Sequence, residues 1–405
     1  MAKVLFINPG SAGHVNPTVA VCKALVEKGE EVVYYATDKF TDRLQDIGVE
    51  IRTFNSDDMM DHFSTYGRDN LFNVMNGLLN TTDLFLPKIL KETKDEHYDY
   101  MIYDSMFGCG YMLAQKLGIP AISSITTFAH TKDSFDQFTN QLNINLSTEA
   151  KDDADKAFTT LKTHLEQTYD ISIPSRFEVM NNPGDLNISY VMRNFQIHPD
   201  TFDSNRYFFA GPSVILPQPS NFMSEIDQSK PIIYISLGTV FNENIPFFNK
   251  CFKALADIDA TVVVSIGETN RIEDFDEAPS NFVIKSFVPQ IELLQYTSLF
   301  LTHAGMNSAN EAIMMGVPML AFPQNADQPV VAQQIENLNI GQQLNSETFT
   351  VEQLKQTVLM MLDHLDEYQD NIAMIKDPSH SEQYGYELAV NKILEFRDTH
   401  CMIQK

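Results

Sequence analysis

Two sets of residues in this 405-residue chain have types and spacing that could do chemistry. The first follows a short apolar run, Ser298 to Thr302 (SLFLT), of the kind buried in a parallel sheet. His303-Ala304-Gly305 ends that run, and a helix should begin just after it. Asn307 or Ser308 can cap this helix, and Ser308 with Glu311 has capping-box spacing. Backbone N–H groups would then open at the carboxyl end of a strand, where the positive helix end binds an anion. Gly305 would let a backbone approach closely. The same Ser/Glu spacing would serve as a plain cap with no ligand.

The second set is His14 and Asp104. His14 lies in the turn PGSAGHVN, ahead of a helix predicted from Pro17 to Lys28 with Asn16 as its cap and Gly29 just past its end. A positive helix end disfavours imidazolium, and a neutral imidazole can take a proton from a hydroxyl. Asp104 closes the strand Tyr100 to Asp104 (YMIYD). A carboxylate there could accept the other ring N–H, fixing the tautomer and stabilising the imidazolium as it forms. Spacing alone equally allows a loop histidine bonded to backbone and an ordinary turn aspartate.

The elements that must position these residues read as two α/β units. Strands at Lys3 to Asn8, Glu31 to Ala36 and Val49 to Phe54 alternate with helices at Pro17 to Lys28 and Lys39 to Ile47, a βαβαβ pattern that implies a parallel sheet. Tyr100 to Asp104, Ala121 to Ile125, Leu186 to Val191 and Tyr207 to Ala210 continue it, with mostly helical sequence from Phe128 to about Tyr169. Residues 1–210 form the first domain, 211–230 a Pro-rich linker and 231–382 the second domain, with a C-terminal helix, 383–405, free to pack back on the first. The second domain starts at Pro231 to Leu237 (PIIYISL), with further strands at Thr261 to Ile266, Phe282 to Ser286 and Met319 to Phe322 (MLAF). Helices are predicted at Pro329 to Asn337, Val351 to Leu365 and about Gln383 to Thr399. In sheets of this type ligands sit beyond the carboxyl ends of the strands.

FVPQ before the Ser298 strand, HAGMNSANEA across the turn and PQNADQP after the next strand together resemble the carboxyl-terminal signature of the UDP-sugar-dependent glycosyltransferases. The resemblance is strongest to the bacterial macrolide-type branch. It implies the GT-B fold, α/β with two Rossmann-like domains facing each other across a cleft. The family's catalytic His in its GHxxP turn matches Gly13-His14-Val15-Asn16-Pro17, and the Asp that orients it matches Asp104. On the donor side, Phe287 stands where many members have a Trp stacking on uracil; Phe stacks too, with a smaller face. The backbone of Val288 and the side chain of Gln290 resemble the groups that read the uracil edge. His303 resembles the phosphate-binding histidine, Asn307 and Ser308 diphosphate ligands, Glu311 the ribose-hydroxyl acceptor, and Thr239 a phosphate-contacting residue of the opposite loop. Asp327 and Gln328 match the acid and amide that hold the sugar hydroxyls, though Asp327 before Pro329 would also suit a helix cap. A carboxylate and an amide suit neutral hydroxyls and offer no cation to a sugar acid, which favours UDP-glucose over UDP-glucuronate.

The resemblance implies an inverting transfer to a hydroxyl of a small apolar acceptor such as a flavonoid, macrolide or terpenoid, with no cofactor and no metal. Aromatic and Met residues from Phe63 to Met75 and from Phe128 to Phe138 would suit a flat aglycone or ordinary core. Asp153 to Asp155 and Asp257 to Asp259 have the spacing of a metal-binding acid pair and read as solvated faces. A UDP-sugar epimerase of similar fold and a non-catalytic nucleotide-sugar-binding protein are the alternatives. The first would need further acids and bases around the sugar, and the second would have no use for His14 or Asp104.

Composition narrows the class. Lys plus Arg 28 against Asp plus Glu 54 gives a net charge of -26, which repels nucleic acid and anionic membrane surfaces. An anionic nucleotide must therefore be held locally, by backbone N–H groups and a few side chains. Cys22, Cys109, Cys251 and Cys401 lie far apart and read as reduced packing residues rather than a zinc site or disulfide framework. MAKVLFINPG enters a strand directly, and no stretch reaches the roughly eighteen apolar residues a membrane span needs, so a cytoplasmic location is expected.

Overall fold

The structure is a computed structural model that describes residues 2–107, 109–238, 243–376 and 384–401. The chain divides into two compact units. One comprises the residues through Val191, then His198–Ser213 and the Gly385–Cys401 helix; the other comprises Met192–Ile197 and Val214 through the Leu365–Ile375 helix.

In the first unit, strands β1 (Lys3–Ile7), β2 (Glu31–Thr37), β3 (Glu50–Phe54), β4 (Tyr100–Asp104), β5 (Ala121–Ile125), β6 (Leu186–Ser189) and β7 (Tyr207–Phe209) form one sheet. Its order is β3-β2-β1-β4-β5-β6-β7, and every pairing is parallel. Val4 to Ile7 are fully buried because helices cover both faces, which explains why β1 reads as a continuous apolar run. The strand order reverses between β1 and β4, so the loops leaving these two strands part and leave a crevice at their carboxyl ends.

The second unit repeats the plan with β8 (Ile232–Ser236), β9 (Thr261–Ser265), β10 (Phe282–Lys285), β11 (Thr297–Thr302), β12 (Met319–Ala321) and β13 (Gly341–Gln343). The order is β10-β9-β8-β11-β12-β13, again all parallel, and the reversal falls between β8 and β11. A stacked ring pair ties neighbouring strands in each sheet: Phe6 on Tyr34 and Tyr234 on Phe300, each with ring centres 4.7 Å apart. Ser220 in the Pro-rich stretch donates its N–H and hydroxyl to the buried Glu292 carboxylate (2.9 and 2.7 Å), fixing that stretch to the second unit.

The C-terminal helix belongs to the first unit. Leu388, Ala389, Val390, Ile393 and Phe396 share one core with Val21, Cys22 and Leu25 of the Ala12–Glu27 helix. Burial of such side chains contributes about 1.5–3 kcal/mol each. Arg397 donates to the buried Glu30 carboxylate, which also accepts from the Tyr100 hydroxyl at 3.0 Å.

Four elements differ from the sequence expectation. The first helix starts at Ala12, with Ser11 as its N-cap, and runs through Pro17. The Asn16-Pro17 pair that suggested a later start therefore lies inside it. The Lys39 to Ile47 helix is broken into a single α turn, Thr41–Leu44, flanked by 3₁₀ turns. Strand β13 and the Leu365–Ile375 helix were not expected; β13 is a three-residue edge strand, Gly-Gln-Gln, with no apolar pattern to announce it. Among the described residues no helix is long and apolar enough to cross a membrane.

Candidate active site

His14 follows β1 and Asp104 ends β4, the two strands beside the reversal of the first sheet, and His303 follows β11 beside the reversal of the second, whereas Phe287 follows the edge strand β10 and Asp327 follows β12. In the first unit Asn8 shapes the turn after β1. Its side-chain oxygen accepts the Gly10 N–H (3.2 Å) and its amide donates to the His14 carbonyl (3.0 Å). His14 is the third residue of the helix rather than a loop residue ahead of it, since its N–H and that of Val15 both bond the Ser11 carbonyl. Asp104, at the end of β4, is fully buried. Its Oδ1 accepts the N–H groups of Met106 (2.8 Å) and Phe107 (3.0 Å), which aims Oδ2 at His14 Nδ1, 2.9 Å away.

Sequence reasoning passed over three residues here. Thr126, one residue past β5, places its Oγ1 3.0 Å from His14 Nδ1. Phe107 meets the imidazole edge-on, centroids 4.8 Å apart and planes at 85°. At Gly10 a Cβ would fall 2.9 Å from both His14 Cβ and Phe107 Cδ2, so glycine is what lets the two rings meet. The signal for Thr126 lay in strand order: β5 neighbours β4 in register Asp104↔Ser124, which brings a hydroxyl two residues on to the same edge.

In the second unit the Met306–Met315 helix starts earlier than expected, with Gly305 as its N-cap and no side-chain cap. The Ser308/Glu311 spacing is therefore not a capping box. Both residues lie in the first turns and face Gln290, whose Nε2 donates to Ser308 Oγ (3.2 Å) and Glu311 Oε2 (2.6 Å). Gln290 Oε1 accepts from the Tyr234 hydroxyl at 3.1 Å, so both ends of the amide are engaged within the protein. Burial pushes the Glu311 carboxyl up to about 7, against the opposing pull of the Gln290 hydrogen bond.

The first backbone bond of this helix runs from the Ala309 N–H to the Gly305 carbonyl, so the N–H groups of 306–308 precede the ladder. His303, just before it, is wedged between two glycines. A Cβ at Gly305 would fall 2.3 Å from His303 Nε2, and one at Gly238 2.6 Å from its Cε1. Gly305 has φ -67, so what it supplies is the missing Cβ rather than a left-handed backbone. Among the described residues His303 Nδ1 is buried without a hydrogen-bond partner. Burial lowers its pKa to about 4, against a weaker opposing pull from the Ser236 backbone, so the ring is neutral at physiological pH. Ala304 between them holds φ +61, and Ala326 in the neighbouring loop φ +58; strained alanines of this kind gather at ligand-binding turns.

Phe287 is 72% exposed, a bare ring beside the buried Val288. Asp327 occupies the N-cap position of the Gln328–Asn337 helix, but its side chain makes no cap bond. Gln328 is buried, and its Oε1 accepts the N–H groups of Gln324 (2.8 Å) and Asn325 (3.3 Å), so that oxygen holds its own loop. Thr239 lies outside the described residues. The acid pairs with metal-like spacing are used in ion pairs: Asp153 with Lys156, Asp155 with Arg176, Asp257 with Lys355 and Asp259 with Lys230. Among the described residues no group of three or more His, Cys, Asp or Glu is placed to hold a metal ion.

Comparison with known proteins shows the family and the fold. The chain is 32% identical over 365 residues to Uncharacterized UDP-glucosyltransferase YojK of Bacillus subtilis (strain 168), covering 88% of this chain and 89% of that one. It is 33% identical over 356 residues to NDP-glycosyltransferase YjiC of the same organism, covering 88% of each. The solved glycotransferase of kitacinnamycin superposes with a TM-score of 0.83 over 98% of both chains at 21% identity, a likeness that shows the fold to be GT-B, built of two Rossmann-like units. Residues 155–383 match the sequence profile of the UDP-glucoronosyl and UDP-glucosyl transferases, a span that contains the whole 287–328 constellation. Together with relatives matched along nearly nine-tenths of its length, that match makes this chain a glycosyltransferase of the UDP-glucoronosyl and UDP-glucosyl transferase family.

Proposed function

We propose that this enzyme moves glucose from UDP-glucose to a hydroxyl of a small apolar acceptor, with inversion at the anomeric carbon, and that His14 is the general base. The observation that carries the reading is the His14–Asp104 hydrogen bond, in which a fully buried carboxylate is aimed by two backbone N–H groups at the imidazole. A carboxylate facing Nδ1 puts the ring proton there, which leaves the lone pair on Nε2. The acceptor hydroxyl gives its proton to Nε2 as its oxygen bonds to the anomeric carbon. The bond from that carbon to the β-phosphate oxygen breaks on the opposite face, and its electron pair leaves with UDP.

The leaving diphosphate gains negative charge. In this reading the helix opening at 306–308 meets it, with Asn307 and Ser308 beside it and the neutral His303 donating an N–H without adding charge. Charge is thus handled by oriented backbone dipoles, and the reaction needs no metal. Phe287 offers its exposed face to the base and the Val288 backbone its edge, Glu311 takes a ribose hydroxyl, and Asp327 and Gln328 take sugar hydroxyls. Thr239 is assigned a phosphate contact by likeness to the family alone. Phe107 and Phe63, both partly exposed with centroids 6.4 Å apart, continue from His14 as an aromatic surface for a flat aglycone.

The test is UDP release from UDP-glucose with and without a phenolic acceptor, in chelator-treated buffer. Acceptor-dependent release with a β-glucoside product supports the proposal. Interconversion of the sugar without acceptor, or binding without turnover, would replace it with an epimerase or a binding protein.

A further inference from the structure

We infer that Thr126 is a positioning residue that, together with Asp104, fixes the orientation in which the His14 imidazole presents Nε2. Two oxygens approach the same ring nitrogen: Asp104 Oδ2 at 2.9 Å and Thr126 Oγ1 at 3.0 Å. They come from neighbouring strands, β4 and β5, so the nitrogen lies between the two strand ends. An ionised carboxylate can only accept, so Nδ1 must carry hydrogen toward it. A nitrogen carrying hydrogen in the ring plane cannot accept from Thr126, and the threonine oxygen must therefore accept as well, its own proton pointing elsewhere. The Nδ1–H is shared between two acceptors in a three-centre bond.

This sharing does something that Asp104 alone does not. A single acceptor leaves the imidazole able to swing about its bond to Cβ; two acceptors on one nitrogen, with the Phe107 edge against the ring, leave one orientation. Thr126 is only 5% exposed, so water does not readily replace its hydroxyl. Threonine is also stiff at χ1, because two heavy atoms crowd its Cβ, and the hydroxyl is set before any substrate arrives. Loss of the second acceptor leaves the proton on Nδ1, facing Asp104, but frees the ring to swing, so that Nε2 meets an acceptor hydroxyl less often.

The catalytic half of this inference rests on the glycosyl-transfer reading, whereas the orientation half does not, and the experiment separates them. Side-chain NMR relaxation of His14 in the substrate-free protein reads the freedom of the ring directly. Wild type is expected to show a rigid ring, Thr126→Val a more mobile one, and Thr126→Ser the wild-type behaviour, with the proton on Nδ1 in all three. In turnover, Thr126→Val should lose roughly tenfold in kcat, a fraction of what a positioned base supplies, with KM for the sugar donor within about twofold, and Thr126→Ser should recover most of the loss. Thr126→Ala serves the same purpose should the valine variant not fold. Unchanged ring mobility in both hydroxyl-free variants overturns the inference, as does a raised donor KM at wild-type kcat, which would make Thr126 a donor contact. A gain in ring mobility in a chain that transfers no sugar supports the positioning role and sinks the transfer reading alone.

Discussion

At the scale of single residues, the second unit uses burial to set the charge of two groups, His303 and Glu311. Glu311 is the clearer case, its carboxyl raised from 4.5 to about 7 by burial. The sign follows from linkage: a raised value means the folded chain holds this proton more tightly than the unfolded chain does. Its contribution to stability is complete below about 4.5 and is lost as pH climbs through about 7. Relative to Glu311→Gln, the wild type should lose up to about 1.4 kcal/mol per pH unit across that window and change no further above it. Denaturant melts of both proteins at pH 5, 6, 7 and 8 check this, and parallel curves would show that Glu311 titrates normally. The candidate residues themselves were legible as types and spacing. What could not be read was their partners: the Gln290–Glu311 bond and the Thr126–His14 bond join residues 21 and 112 positions apart, and only the strand order brings them together.

At the scale of elements, the strand ends were readable and the helix starts were not. Buried parallel strands announce themselves as unbroken apolar runs, as β1, β8 and β11 do. Helix starts depend on caps, and two competing caps misled: Asn16-Pro17 sits inside a helix capped by Ser11, and Ser308/Glu311 imitates a capping box in a helix capped by Gly305. The second displacement matters functionally, because it opens the helix beside His303. Gly305→Ala tests it. The added Cβ would lie 2.3 Å from His303 Nε2, and the ring cannot retreat past Gly238 on its other side. UDP binding by calorimetry should weaken at least about tenfold, roughly 1.4 kcal/mol, while the thermal melt stays cooperative. Unchanged affinity would mean that the His303 slot takes no part in holding the diphosphate.

At the scale of the whole molecule, the division into two α/β units was legible from their repeated strand and helix pattern, and the return of the C-terminal helix to the first unit only as a chance the sequence left open. Its anchor is a long-range pair: Arg397 reaches Glu30, whose carboxylate is 0% exposed and is otherwise held by the Tyr100 hydroxyl. Arg397→Ala would leave that carboxylate buried with its cation gone. Because Arg397 is itself partly exposed, the loss should fall below the about 3–5 kcal/mol of a fully buried pair, at about 2 kcal/mol, seen as a lowered Tm. A melt like that of the wild type would make the helix's apolar face its sole anchor.

The claim on which the account turns is that an imidazole in the amino-terminal unit takes the acceptor's proton while the nucleotide is held elsewhere. His14→Ala, assayed side by side for UDP affinity and for sugar transfer, tests it most directly. The account predicts affinity within about twofold of wild type and transfer reduced by at least the roughly hundredfold that a general base supplies. Transfer near the wild-type rate in that variant would contradict it.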